Sequence, residues 1–440
     1  MKFPEVFIDR MRKTLGDDFE AFEQSFEKPV FTGLRVNTEK IDVSEFLERF
    51  PYRLKPIPWT KDGFYYNSED PVTKHPFYHA GLYYIQEPSA MAPVNILKPN
   101  RGDVCIDLCA APGGKSMQIA AAIGESGILV SNDINDSRIK AIVRNVEKYG
   151  LRNVVVINEA PSRIAGRMGN CFDAVLVDAP CSGEGMFKKD RKAVKSWETF
   201  GPEECRVIQR EIVDNLHHLA KPDSKIVYST CTFAEMENEE QIEHLISDFE
   251  CLSGKSIDVP SISVEGHLAH IWPHLHEGEG HFISSLITDD TLPIVELEDY
   301  QHNAPHPLLE AFIASHVKTG VLKGHFTTEK DRIYLKPDKK LPLEGIRVVR
   351  EGLLVGELKK ERFIPSQALA LYLKKSDFEP IVDFPSDSLS AIKYLKGETL
   401  HLDINTEGLH LVCTDGFPIG WAKINRGTLK NMYPVSWRMQ

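Results

Sequence analysis

Between residues 101 and 230, short apolar runs alternate with amphipathic helical stretches, and no other feature of the chain narrows its fold so far. The runs 104–108, 127–131, 154–157, 172–178 and 226–230 carry β-branched residues such as Val104, Val130, Val155, Val175 and Val177, as buried strands do. Helical spacing fills the gaps. A helix over 137–149 sets Ile139, Ile142, Val143 and Val146 on one face and stops at Gly150; another runs over 117–123. A long helix is expected through Val207, Ile208, Ile212, Leu216 and Leu219. Such alternation builds a mainly parallel, doubly wound α/β sheet, with 281–287 as a closing strand.

In an open α/β sheet, ligands bind beyond the carboxyl ends of strands. After the first run comes Cys109-Ala110-Ala111-Pro112-Gly113-Gly114-Lys115, a glycine-bearing turn that opens a helix. It has neither the Gly-x-Gly-x-x-Gly fingerprint of dinucleotide sites nor the spacing of a phosphate-binding P-loop. Asp133, 18 residues past Lys115, ends the second strand and is placed to accept the ribose hydroxyls of an adenosine. Adenosine without a pyrophosphate points to S-adenosylmethionine.

The fourth run ends at Asp178, with Pro180, Cys181 and Gly183 just beyond; the fifth is followed by Cys231. Either cysteine alone reads as an inert buried residue, since free cysteine is among the most buried types. Following neighbouring strands, the two should instead face one pocket. Two thiols beside a methyl donor have a specific use. Carbon 5 of cytosine is too weak a nucleophile to take a methyl group until a thiolate has added to carbon 6 and turned the ring into an enamine. An acid at the N3 side of the ring, here Asp178, would stabilise that adduct, and the base must be single-stranded or flipped out to be reached.

Composition sets the surroundings. The net charge of −12 argues against indiscriminate coating of nucleic acid, yet residues 301–440 hold 20 Lys and Arg against 16 Asp and Glu, which permits an RNA partner. Eight cysteines without a Cys-x-x-Cys pair argue against a zinc ribbon, and no metal is expected. With no signal peptide and no membrane-length apolar run, the chain reads as cytoplasmic, with reduced thiols. Residues 1–75 mix helical spacing (Phe7, Met11, Leu15; Phe19, Phe22, Phe26) with a strand over 34–38. Their Arg10, Arg12, Lys13 and Arg35 either contact phosphate or lie on a solvated face. Beyond Tyr300 the alternation stops: 345–358 reads as a hairpin, 366–375 as a helix, and the last 50 or so residues as a small β-rich module.

The segments Asp107-Leu-Cys-Ala-Ala-Pro-Gly-Gly-Lys115, Asp178-Ala-Pro-Cys-Ser-Gly-Glu-Gly-Met-Phe187 and Tyr228-Ser-Thr-Cys-Thr-Phe233 closely resemble motifs of the Sun family of RNA 5-methylcytosine methyltransferases, and within it the RsmF type. Arg35-Val-Asn-Thr38, Tyr84-Ile-Gln-Glu-Pro-Ser-Ala-Met91, Trp272-Pro-His274 and Gly278-Glu-Gly-His-Phe282 resemble the same type, so the likeness covers nearly the whole chain. It implies a Rossmann-like S-adenosylmethionine-dependent methyltransferase domain over 79–292. Around it come a small α+β RNA-binding domain over 1–78, a C-terminal α+β domain over 300–385 and a PUA-like RNA-binding domain over 386–440. It implies that Cys231 attacks carbon 6 while Cys181 aids proton removal and product release. The cofactor would be lined by Cys109, Ala110, Ala111, Pro112, Gly113, Gly114, Lys115, Asp133, Arg138 and Asp178, with Glu159 standing where many relatives have an acid for the adenine. The implied substrate is 16S ribosomal RNA of the small subunit, and the protein is expected to act as a monomer. A transfer-RNA methyltransferase and a non-catalytic RNA-binding ribosome assembly factor are the competing readings.

Overall fold

The computed structural model describes residues 3–189 and 191–440, with Arg191 described by its backbone alone. Five parallel strands form the centre of its largest sheet: β1 (Val104–Asp107), β2 (Ile128–Asn132), β3 (Val154–Ile157), β4 (Phe172–Asp178) and β5 (Ala220–Thr230). Their spatial order is β3-β2-β1-β4-β5, with β6 (His281–Thr288) antiparallel beside β5. The chain thus steps outwards from β1 in one direction and then restarts on its other side at β4. That reversal opens a crevice at the carboxyl edge, between β1 and β4.

Successive side chains of a strand face opposite sides of a sheet. Ile106, Val130, Val155, Val175 and Val177 accordingly fall into one apolar cluster, and Cys105, Leu129, Val154, Val156, Ala174 and Leu176 into another. The second face is covered by α1 (Gly114–Ile123) and α2 (Asp136–Tyr149) through Met117, Ile119, Ile139, Ile142 and Val146. The first is covered by α3 (Pro161–Met168) and α4 (Pro202–Val213) through Ile164, Met168, Ile212 and Val213. Each such buried side chain contributes roughly 1.5–3 kcal/mol. Helix α2 begins where the Asn135 side chain accepts the Ser137 and Arg138 N–H groups, and ends at Gly150, whose φ of 64° lies in the left-handed region.

Four expectations are corrected. The helix drawn through Val207 to Leu219 is two helices, α4 and Leu216–Leu219, and Val207 and Ile208 face solvent at 61% and 48% exposure. The hairpin drawn over 345–358 does not form: β7 (Val348–Glu351) pairs antiparallel with β3, whereas Leu353–Lys359 joins a separate four-stranded sheet. One strand of the C-terminal half therefore extends the central sheet. Arg35 is neither solvated nor free for phosphate. It is buried, and donates to Gln86 Oε1, to Gln118 Oε1 (3.2 Å) and to the Gly114 carbonyl (3.0 Å), tying the N-terminal region to the start of α1. Tyr83–Ile85, on the far side of a boundary at residue 78, pairs with Gly33–Val36 in the N-terminal sheet.

The C-terminal module forms a five-stranded sheet of Ile381–Phe384, Leu400–His401, Gly408–Thr414, Phe417–Asn425 and Thr428–Asn431. Its Phe384, Tyr394, Val412 and Ile419 share an apolar core with Leu34, Phe46, Phe77 and Tyr83 of the N-terminal region. Among the described residues no helix is long and apolar enough to cross a membrane.

Candidate active site

Register brings the motifs together. Asp178 of β4 sits opposite Ser229 of β5, and Thr230 opposite Phe282 of β6. The carboxyl ends of two strands and the start of a third therefore meet on one edge, beside the loop that follows β1. A cavity of about 300 Å³ lies there. Of the residues singled out in the sequence, Cys109, Ala110, Ala111, Pro112, Gly114, Lys115, Asp178 and Cys231 line it, whereas Gly113, Asp133, Arg138 and Cys181 do not. A larger cleft of about 1040 Å³, bordered by Lys40, Arg152, Tyr372 and Phe417, holds none of these residues.

Cys181 is brought against Cys231 all the same, with the two sulfur atoms 3.4 Å apart and both free. Hydrogen bonding to Cys231, then burial, pushes the Cys181 thiol well up, so it keeps its proton. Pro180 and Gly183, the latter at a φ of 72°, turn the chain back after β4. Gly185 then passes so close to Cys231 that an added Cβ would stand 3.0 Å from the Cys231 carbonyl oxygen.

Buried carboxylates fasten these two loops. Glu237 accepts the Ser182 N–H (2.9 Å) and hydroxyl, the Gln209 amide (2.9 Å) and the Thr232 hydroxyl (3.3 Å). Glu184 accepts the Phe233 N–H (3.0 Å), the Trp197 indole N–H (2.9 Å) and the Arg10 guanidinium. Arg10 is thereby committed to the protein. Glu237→Gln replaces an acceptor oxygen with an amide donor opposite donors. It should cost about 1–3 kcal/mol in a denaturant titration and slow methyl transfer while leaving cofactor affinity unchanged, because it displaces the sulfur atoms and not the loop after β1.

Asp178 is the electrostatic centre of the cavity. Lys115 Nζ lies 2.7 Å from Oδ2, the Ser229 hydroxyl donates to Oδ1 at 2.9 Å, and His281 Nε2 is 3.5 Å from Oδ1. Burial alone would raise this carboxyl, but Lys115 and His281 outweigh it and hold the group well below the usual carboxylate range. It is ionised at neutral pH. Beneath it Asp107, bonded to the Ser116 hydroxyl at 2.6 Å, is pushed up to about 7 by burial.

The loop after β1 fits a small anionic ligand. Gly113 takes a φ of 110° and no side chain caps α1, so the first N–H groups of that helix are left for an acceptor. A Cβ on Gly114 would stand 3.0 Å from Tyr84 and take up part of this space. Asp133 braces the loop: its oxygens accept the Ala111 N–H (3.2 Å) and the Asn135 N–H (2.9 Å). Arg138 donates to the Ala111 carbonyl at 2.6 Å. Glu159 does not line the cavity; it accepts the Arg347 N–H at 2.8 Å and lies 3.5 Å from Arg163 Nε, so its carboxylate anchors the chain entering β7.

Sequence reasoning assigned no role to Tyr84, Gln86, Glu87, Lys189, Glu279 and His281, all of which line the cavity. For all but Lys189 the signal was in plain view, since 84–91 and 278–282 both stood out as family-like. Among the described residues no group of three or more His, Cys, Asp or Glu is arranged to hold a metal ion.

Family models match four consecutive parts of the chain. These are the N-terminal domain of 16S rRNA methyltransferase RsmF (residues 3–88), 16S rRNA methyltransferase RsmB/F (94–287), the RsmF rRNA methyltransferase first C-terminal domain (311–373) and the methyltransferase RsmF PUA domain (382–439). The chain is 31% identical to ribosomal RNA small subunit methyltransferase F of Erwinia tasmaniensis, over 98% of this chain and 96% of that one. It is also 31% identical to the protein of that name from Shewanella loihica, over 97% and 94%. Among solved structures, a methyltransferase homologue from Pyrococcus horikoshii superposes with a TM-score of 0.57 at 28% identity, covering 65% of this chain and 95% of that one. The motifs converging on one crevice, the four matched domains and the near full-length likeness agree, and the chain belongs to the RsmB/F family of 16S rRNA methyltransferases.

Proposed function

We propose that the protein transfers a methyl group from S-adenosylmethionine to carbon 5 of a cytosine in small-subunit ribosomal RNA. The observation that carries this reading is the 3.4 Å approach of the Cys181 and Cys231 sulfur atoms at the rim of a cavity that also holds the Lys115–Asp178 pair. S-adenosylmethionine, when bound, supplies an electrophilic methyl carbon. The N–H groups that open α1 would take its carboxylate, and Asp133 would take its ribose hydroxyls on the lone pairs its two backbone bonds leave free.

Cys231, as thiolate, adds to carbon 6 of the flipped-out ring. Lys115 presents its cation to the polar edge of the base, where negative charge develops as the adduct forms, and the Asp178 carboxylate would accept from the exocyclic amine beside it. The Cys181 thiol then hydrogen-bonds the departing Cys231 sulfur. Bisulfite mapping of ribosomal RNA from cells with and without the protein tests the assignment. Protection of at least one small-subunit cytosine should depend on the protein. Protection lost in transfer RNA instead would move the substrate, and unchanged protection in both would leave an RNA-binding assembly factor.

The C-terminal module offers RNA a basic strip. Lys423 and Lys430 are register partners on adjacent strands, with Arg426 at the turn between them, and all three are exposed. Removing the module whole would strip the core it shares with the N-terminal region, so charge reversal is the cleaner test. Lys423→Glu with Lys430→Glu should weaken RNA binding about tenfold and flatten its log–log salt dependence by roughly 1.5, with cofactor affinity unchanged.

A further inference from the structure

We propose that Glu279 is the base that takes the carbon 5 proton after methyl transfer. The assignment rests on the cytosine reading above. Glu279 lines the cavity with Cys231 and is only 3% exposed, yet neither carboxylate oxygen has a hydrogen-bond partner. Its backbone is clamped: the Glu279 N–H donates to Glu87 Oε1 at 2.9 Å, and Glu87 Oε1 also accepts the Ser89 hydroxyl. Its carbonyl lies on the Cys231 side of the site, since an added Cβ on Gly185 would stand 2.9 Å from the Glu279 carbonyl oxygen and 3.0 Å from that of Cys231. A buried carboxyl with both oxygens unused, held on a fixed backbone beside the nucleophile, is costly unless a ligand answers it.

Once the methyl group has arrived, carbon 5 holds both it and the original hydrogen. Aromaticity returns when that hydrogen leaves as a proton. The carbon–hydrogen pair becomes the carbon 5–carbon 6 double bond, the carbon 6–sulfur pair returns to Cys231, and the proton passes to the Glu279 carboxylate and on to water. Cys181 is unsuited to this step because it keeps its own proton and faces the departing sulfur. Asp178 is unsuited because three partners occupy it and hold it a weak base. Burial, then the nearby Glu87 charge, against the pull of Lys189 and Lys188, pushes Glu279 up to about 7, where a carboxylate accepts a proton readily at neutral pH. Asp107 shares that range but ends β1 and is bonded to the Ser116 hydroxyl of α1, on the cofactor side of the crevice.

Small-subunit ribosomal RNA carrying tritium at carbon 5 of cytosine separates methyl transfer from proton loss. Wild-type protein should release one tritium per methyl group transferred; release without transfer, or neither, would count against the activity itself. Glu279→Gln should form a methylated covalent adduct at close to the wild-type rate but release tritium about 100-fold more slowly or worse, and Glu279→Asp should recover part of the release. With RNA containing 5-fluorocytosine, whose fluorine cannot leave as a cation, Glu279→Gln and wild type should trap adduct equally fast. Parallel losses in both assays for both variants would make Glu279 structural and overturn the proposal. So would wild-type tritium release by Glu279→Gln, or a block in release that follows Asp107→Asn instead.

Discussion

Cys231→Ala should abolish methyl transfer to background while cofactor binding persists, and Cys181→Ala should accumulate a covalent protein–RNA adduct visible on a denaturing gel. The two outcomes differ because the sulfur atoms, though 3.4 Å apart, sit in different surroundings. Cys231 lines the cavity and Cys181 does not. Without the first no bond to carbon 6 forms, and carbon 5 stays a poor nucleophile. Without the second the bond forms, but the departing sulfur loses the only thiol that faces it among the described residues. Reversed behaviour, with Cys231→Ala trapping RNA and Cys181→Ala turning over normally, would exchange the two roles.

Asp178→Asn should reduce methyl transfer by about 10²–10³-fold, the loss that follows removal of one preorganised electrostatic group. The variant keeps the shape of the side chain but leaves Lys115, whose side chain is 9% exposed, without its counter-charge. A pH signature accompanies the loss. Asp178 has a folded-state pKa held below its unfolded value, so its contribution to stability is complete above roughly pH 4 and is lost as the pH falls through the folded value. The gap in thermal midpoint between wild type and Asp178→Asn should therefore be widest at neutral pH and close in acid. A gap that widened as the pH fell would mean that Asp178 is not held ionised by Lys115 and His281.

The parallel sheet was legible because each of its strands announces itself locally, as an apolar run bounded by turn residues, and because such runs joined by helices have few ways to pack. Placing Asp178, Cys181 and Cys231 at one edge needed only that logic. What stayed hidden depends on partners distant in sequence. Glu237 meets Ser182 across 55 residues, and Glu184 meets Arg10 across 174, with nothing local to either to mark it as a fastener. Arg35 read as a surface charge, because the sequence does not show that Gln86, Gln118 and the Gly114 carbonyl converge on it. The strand Val348–Glu351 joins the exposed edge of β3 by backbone hydrogen bonds, which any sequence can make, while the next strand leaves for another sheet. Val207 and Ile208 sat on an apolar spacing that a break after Val213 interrupts, and the structure turns them outward.

Nucleoside mass spectrometry of small-subunit ribosomal RNA, after incubation with the purified protein and S-adenosylmethionine, tests the cysteine-based chemistry most directly. The expected product is 5-methylcytidine, formed by wild-type protein and absent with Cys231→Ala. A methyl group found on a ribose oxygen or an exocyclic amine, or 5-methylcytidine still formed by Cys231→Ala, would contradict the account.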